Sequence, residues 1–313
     1  TTIYEKHFLY GVKNLNFTFE IYNGDLSATN KKYKKKYYYT NPKKIKTITD
    51  KLGFRNETKV IDSDFILIGD SFIQSLNITQ DKILNNLLFQ DYGLKSYNAG
   101  LGATDIYHYF ETIKFFKKNK NLKNKKYIIF IFQGNDFINY NLDETKNYHK
   151  YIDNFFINNY FKIKLYFNFY NSIKYFSSLK KKGRLKKINE YKIRSKEVLF
   201  YYISEPNSKI PSIINLVNKY KSYLPDKVIF IPTKYEVYCS YINENKCNKT
   251  NHFDILKESF SSTNVEILDT RNKFKENIDY YLNKNDELLF EIDDTHLNEI
   301  GIKVLAEFVS ENL

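Results

Sequence analysis

The chain is 313 residues long, enough for one large domain with additions, and its 42% hydrophobic and 27% charged residues exclude a disordered polypeptide. No apolar run of about 18 residues occurs, so the sequence offers no transmembrane helix. The formal net charge of +13 suits an anionic partner such as an acidic polysaccharide, a phospholipid surface or nucleic acid, but codon bias toward Lys in an AT-rich genome would give the same excess. The sequence starts at Thr1 and holds no Met, which reads as a mature product whose signal peptide or N-terminal anchor is missing. Its two cysteines, Cys239 and Cys247, flank a short polar stretch. A disulfide-closed loop in an oxidising compartment is expected there, with two free thiols as the alternative that spacing leaves open.

In chain order, residues 1–59 carry no clear βα unit and read as an added N-terminal layer, marked by the basic, tyrosine-rich tract KKYKKKYYY at 31–39. From residue 60 onward short apolar runs alternate with amphipathic stretches, the pattern of βα units around a parallel sheet. A buried strand is predicted over 65–68, ending in Gly69. A helix over 79–89 carries Ile83, Leu84, Leu87 and Leu88 at helical spacing. A second strand runs through 96–98 and a helix follows over about 104–116. The most apolar run, 127–132, fits a central strand covered on both faces. Two more strands are predicted over 227–231 and 265–268, and Ile300, Val304, Leu305 and Phe308 mark a closing helix. Between about 140 and 206 lies an insertion rich in Phe, Tyr and Lys, including the basic knot LKKKGRLKK, and it is read as mostly helical. The domain is therefore taken as 60–313 with that insertion, preceded by the 1–59 segment.

Four short motifs fall at predicted strand ends. Gly69-Asp70-Ser71 places a serine on the first turn after a buried strand, where ligands of parallel sheets collect. A serine hydroxyl needs an imidazole to accept its proton and a carboxylate to orient that imidazole; Asp293-Asp294-Thr295-His296 supplies both types. Asn98-Ala99-Gly100-Leu101-Gly102 and Gly134-Asn135-Asp136 bring small residues and an amide side chain to two further strand ends, where they could donate hydrogen bonds to an oxyanion. Each motif alone is more often an ordinary turn; their common placement is the signal. His7, His108, His149 and His252 are scattered without ligand spacing, so no metal site is expected. Neither a GxxxxGK[ST] loop nor a GxGxxG fingerprint occurs.

The order GDS, NxGxG, GND and DxxH resembles the four sequence blocks of the SGNH/GDSL hydrolase family over about residues 65–309. The resemblance implies a flavodoxin-like three-layer α/β/α fold with a central parallel sheet and no cofactor. It implies Ser71 as nucleophile and Asp293 with His296 as the pair that activates it. The oxyanion donors would be the Ser71 amide, the Gly102 amide, with Gly100 as second choice, and the Asn135 side chain. Asp70 and Asp294 are further candidates, the latter because it makes a shorter Asp-Thr-His arrangement similar to that of alginate O-acetyltransferases. Gln133 departs from the family, which places glycine two positions before the asparagine. The lead-in Gly53-Phe54-Arg55 resembles that of exported, often membrane-anchored members serving surface polysaccharides.

The expected activity is removal or transfer of O-acetyl or other short acyl groups through an acyl-serine. The substrate would be a cell-surface or exported glycan, an acidic one suiting the basic surface. Transfer would call for a membrane-associated acetyl donor protein. The expected location is periplasmic or otherwise extracytoplasmic. The competing class is a noncatalytic SGNH-like glycan-binding or assembly module, and nucleic acid is disfavoured because no nucleic-acid-binding motif accompanies the basic tracts.

Overall fold

The computed structural model describes residues 3–5, 8–102, 104–137, 185–203, 210–242 and 251–313. The N-terminal segment begins with two short paired strands, β1 (Ile3–Glu5) and β2 (Phe8–Tyr10), followed by an antiparallel pair, β3 (Asn16–Ile21) and β4 (Lys43–Ile48). The connection between β3 and β4 holds two single-turn helices, α1 (Asp25–Ala28) and α2 (Lys31–Lys34). The basic tract folds so that Tyr33 and Tyr37 are buried with Leu26 and Leu199, while its lysines face outward. Lys36 pairs with Glu190 and Glu197 at 2.8 and 2.7 Å, and the Tyr37 hydroxyl donates to Glu190 at 2.7 Å.

Strand β5 (Phe65–Gly69) leads directly into α3 (Ser71–Gln74), and α4 (Leu84–Tyr92) follows. The helix predicted over 79–89 is in fact a 3₁₀ turn at Gln80–Lys82 and then α4. Next come β6 (Ser96–Gly100), α5 (Ile106–Lys117) and β7 (Lys126–Phe132). Beyond the insertion lie α6 (Ile210–Lys219), β10 (Lys227–Ile231), α7 (Lys234–Ile242), α8 (His252–Ser259), β11 (Glu266–Asp269), α9 (Arg271–Asn285) and α10 (Glu299–Glu311).

Among the described residues the central sheet has five strands, all parallel, in the order β11-β10-β7-β5-β6. Counted along the chain that is the 2-1-3-4-5 order of a doubly wound sheet. Alternation along the apolar strands builds its two faces: Ile128, Phe130 and Phe132 of β7 enter one core, and Tyr127, Ile129 and Ile131 enter the other. The first core is covered by α4, α9 and α10, the second by α5, α6 and α8, which makes a three-layer α/β/α arrangement. Each such side chain fully buried contributes roughly 1.5–3 kcal/mol, so the sheet is a rigid base for whatever its strand ends carry.

The mostly helical reading of the insertion falls largely outside the described residues. Its described part, 185–203, is an antiparallel hairpin of β8 (Leu185–Ile193) and β9 (Lys196–Ile203), not helix. Val198 and Phe200 pack into the main core while Leu199 points the other way onto Leu26, the two-residue period of a strand buried on both sides. The turn at Arg194-Ser195 has Arg194 at φ 51°, with no Gly or Asn to announce it. Residues 138–184, with most of the basic knot, lie outside the described residues. Cys239 sits in α7 and is disulfide-bonded, whereas Cys247 lies outside the described residues. No helix among the described residues is long and apolar enough to cross a membrane.

Candidate active site

The order reversal between β5 and β7 leaves a crevice at their carboxyl ends, and Ser71 and Asn135 stand on the turns that leave those two strands. Ser71 is the first residue of α3, whose cap is Asp70: the Asp70 carboxylate accepts from the Phe72 amide at 2.9 Å. At the first helical position the Ser71 amide has no intrahelical acceptor. Strand β6 passes directly beneath this helix at Gly100. A Cβ there would stand 2.4 Å from the Gln74 nitrogen, so only glycine permits the approach.

His296 arrives from the loop before α10. Its Nε2 lies 2.8 Å from the Ser71 hydroxyl, and its Nδ1 lies 2.5 Å from an Asp294 carboxylate oxygen. The Phe72 ring packs against the imidazole at 4.9 Å between centroids. Alcohol, imidazole and carboxylate are thus in one line, with the hydroxyl and imidazole partly open to solvent and Asp294 only 8% exposed.

The carboxylate is Asp294, not the expected Asp293. Asp293 is fully buried and turned away, toward the N-terminal segment. It accepts from the Gly24 amide at 2.7 Å, from the Ser27 hydroxyl at 2.5 Å and from the Tyr39 hydroxyl. Three donors from the N-terminal segment occupy the Asp293 carboxylate, and the carboxylate hydrogen-bonded to His296 is the next one along the loop.

Of the expected oxyanion donors, the Asn135 side chain reaches the Asp70 carboxylate and lies 3.5 Å from Asp136. The Gly102 amide donates to the Gln74 side-chain oxygen at 3.0 Å, and a Cβ on Gly102 would be 3.6 Å from that of Ser71. Gly102 is therefore beside the serine, with its amide covered by the Gln74 side chain. Gly100 is corrected to a packing position: its amide donates to the Asn98 side chain at 2.8 Å. Gln133, buried, accepts from the Thr233 amide at 2.7 Å and bonds Glu236, tying β7 to the start of α7.

Charge is concentrated around the imidazole. Burial disfavours charged His296, but the adjacent Asp294, helped by Asp25 and Asp70, outweighs it and raises the imidazole to about 9. Burial alone would push the Asp294 carboxyl up; the His296 charge and hydrogen bonds win and hold it below the usual carboxylate range. Asp70, buried at its cap, is displaced upward by desolvation.

Three residues near the site, Asp25, Lys234 and Gln74, carried no functional signal in the sequence, and Arg55 carried one only as part of a lead-in. Asp25 has its amide 2.9 Å from Asp294 and accepts from the Thr295 amide and hydroxyl at 2.9 and 2.7 Å. Asp25, Asp294 and His296 offer atoms within 4.8 Å of one another. Those atoms are engaged with one another, with Thr295 and with Ser71, which makes the group a hydrogen-bonded network and not a chelate. Lys234, buried at the start of α7, donates to the carbonyls of Glu291, Ile292 and Asp294 at 2.5, 3.1 and 3.1 Å. Desolvation lowers its ammonium to about 8 against the pull of the nearby carboxylates. Arg55, 1% exposed, donates to the carbonyls of Gln74, Ser75, Ile78 and Lys46, closing the carboxyl end of the serine helix. The Gly53-Phe54-Arg55 lead-in is thus a brace for α3. Gln74, already noted, covers the Gly102 amide.

The sheet has the strand order of a doubly wound, three-layer α/β/α fold, with three of the motifs that resemble SGNH/GDSL blocks at its strand ends and the fourth, with His296, on the loop before α10. No family model matches the chain, and no curated protein matches it. Among solved structures it is similar to a protein of the G-D-S-L family from Desulfitobacterium hafniense DCB-2, at 15% identity and TM-score 0.35 over 80% of this chain and 100% of that one. It is likewise similar to the acetyl xylan esterase AlAXEase, at 15% identity and TM-score 0.34 over 80% of this chain and 99% of that one.

Proposed function

We propose that the protein is a serine enzyme acting on short acyl esters of a glycan, with Ser71 as nucleophile, His296 as general base and Asp294 as the residue that orients the imidazole. The observation that carries this reading is the unbroken chain from the Ser71 hydroxyl through His296 to Asp294, at 2.8 and 2.5 Å. His296 takes the hydroxyl proton as the Ser71 oxygen bonds to the acyl carbon, and the carbonyl oxygen becomes an oxyanion. The Ser71 amide and Asn135 side chain are its first donors; the Gly102 amide joins when Gln74 swings aside. On collapse the bond to the sugar oxygen breaks, and the imidazolium returns its proton to that oxygen. Water then completes hydrolysis, or a second sugar hydroxyl completes transfer, by the same steps in reverse.

An extracytoplasmic glycan is the substrate class we favour. The disulfide-bonded Cys239 supports an oxidising compartment, and the net charge of +13 supports an acidic polymer. Transfer would add a membrane-associated acetyl donor as partner. The test is hydrolysis of p-nitrophenyl acetate by the wild type and by Ser71→Ala, expected to fall at least about 10⁴-fold in the variant. Equal rates would reject the proposal in favour of a binding module. Acetylated glycan acceptors, detected by mass spectrometry in the same assay, would identify a transferase.

A further inference from the structure

The loop that carries His296 is met by a residue from the opposite end of the chain. Asp25, 270 positions before Thr295, is delivered to it by the docking of α1 on Asp293. The Asp293 carbonyl accepts from the amides of Leu26 and Ser27 at 3.1 and 3.3 Å, while its carboxylate takes Gly24, Ser27 and Tyr39. A Cβ at position 24 would stand 2.5 Å from the Asp293 carbonyl oxygen, so the glycine is what lets the two backbones meet. Asp25, next in sequence, then contacts the two residues that follow Asp293.

We infer that Asp25 is a positioning residue for His296: its amide fixes Asp294 and its carboxylate fixes Thr295. This rests on the serine-enzyme reading above. The Asp294 carboxylate uses one oxygen for His296 Nδ1 and the other for the Asp25 amide, so it is held at both ends. Thr295, between Asp294 and His296, is gripped through its amide and its hydroxyl. A loop residue with both groups satisfied cannot rotate without breaking two hydrogen bonds to a carboxylate.

The groups facing His296 are Asp294 from its own loop, Asp70 from the turn after β5 and Asp25 from α1. Glu291, Asp293 and the buried Lys234 ammonium lie around the carboxylates. Burial and the Asp294 charge both push the Asp25 carboxyl upward, against the pull of His296 and the Thr295 bonds. Removing the Asp25 charge makes the imidazolium less favourable, so the neutral base appears at lower pH.

Three full-length variants separate charge from bracing. Asp25→Asn keeps the amide and one acceptor while losing the charge. Asp25→Glu keeps the charge while misplacing the carboxylate, and Asp25→Ala loses both. In kcat/KM–pH profiles with p-nitrophenyl acetate, Asp25→Asn shifts the acidic limb down by about one unit. Asp25→Glu leaves the limb in place and lowers kcat, and Asp25→Ala does both, with kcat down about 10–100-fold and KM little changed. The His296 imidazole is also titrated by NMR in the Ser71→Ala background with and without Asp25→Asn, which reads the same shift without activity. An unmoved limb and an unmoved imidazole titration in a folded Asp25→Asn variant would overturn the inference. Equal hydrolysis by wild type and Ser71→Ala would instead reject the serine-enzyme reading, and the NMR titration would still decide whether Asp25 acts on His296.

Discussion

The turn that carries Ser71 and the loop that carries His296 are held in different ways. The serine turn is local: β5 ends, Asp70 caps α3, and Arg55 closes the other end of the same single-turn helix. The histidine loop has little regular structure of its own beyond one bridge between Phe290 and Leu297. It is held from outside, by Asp25 on one side and by Lys234 on the other. A nucleophile needs only to be presented at a strand end, whereas a base must meet both the nucleophile and its orienting carboxylate, so the loop carries the greater demand for external bracing.

The sharpest way to break this contrast is to exchange the roles of the two adjacent aspartates. Asp294→Asn should lower kcat by about 10⁴, as loss of the orienting carboxylate does in other serine triads, with little change in melting temperature. Asp293→Asn should instead cost about 1–3 kcal/mol in urea unfolding, because buried donors from the N-terminal segment lose an acceptor, with a much smaller effect on kcat. The opposite ranking would return the orienting role to Asp293.

The pH profile is next in size. Because the neutral imidazole is the active form and the neighbouring carboxylates, against the effect of burial, raise His296 to about 9, kcat/KM should climb with pH up to about that value. Between pH 6 and 8 the rise should approach about 100-fold. A flat profile over that range would remove His296 as the base. Lys234→Met takes the ammonium donor from three loop carbonyls, of which that of Ile292 keeps the Leu199 amide, and should cost about 1–3 kcal/mol, with kcat falling about tenfold. A loss of stability with kcat intact would mean that the loop is braced from the N-terminal side alone. The smallest effect belongs to Gln74→Ala. Uncovering the Gly102 amide should raise kcat/KM or lower it by no more than about threefold, whereas a large loss would make Gln74 a partner of the substrate.

Much of the sheet was legible because its strands are nearly pure apolar runs, a pattern set by burial on both faces and hardly altered by tertiary detail. Ser71 was legible for a related reason, since it leaves the end of a buried strand of the parallel sheet, and His296 through its DDTH motif. The choice between Asp293 and Asp294 was not legible, since one residue of displacement in an irregular loop reverses which carboxylate faces inward. The β8–β9 hairpin was hidden by its Arg194-Ser195 turn and its dense Lys and Tyr content. Asp25 was hidden because Gly24-Asp25 reads as a turn start, and its partners lie about 270 residues away.

Apolar periodicity and the GDS, GND and DDTH motifs determined, from sequence alone, a parallel α/β sheet with a serine and a histidine at its carboxyl rim. Only the tertiary structure decided which aspartate meets the histidine, that the N-terminal segment reaches the same loop, and that a glutamine covers one of the amides. Periodic burial is a local property repeated along the chain, whereas these contacts are single hydrogen bonds between segments whose positions exist only once the sheet has formed.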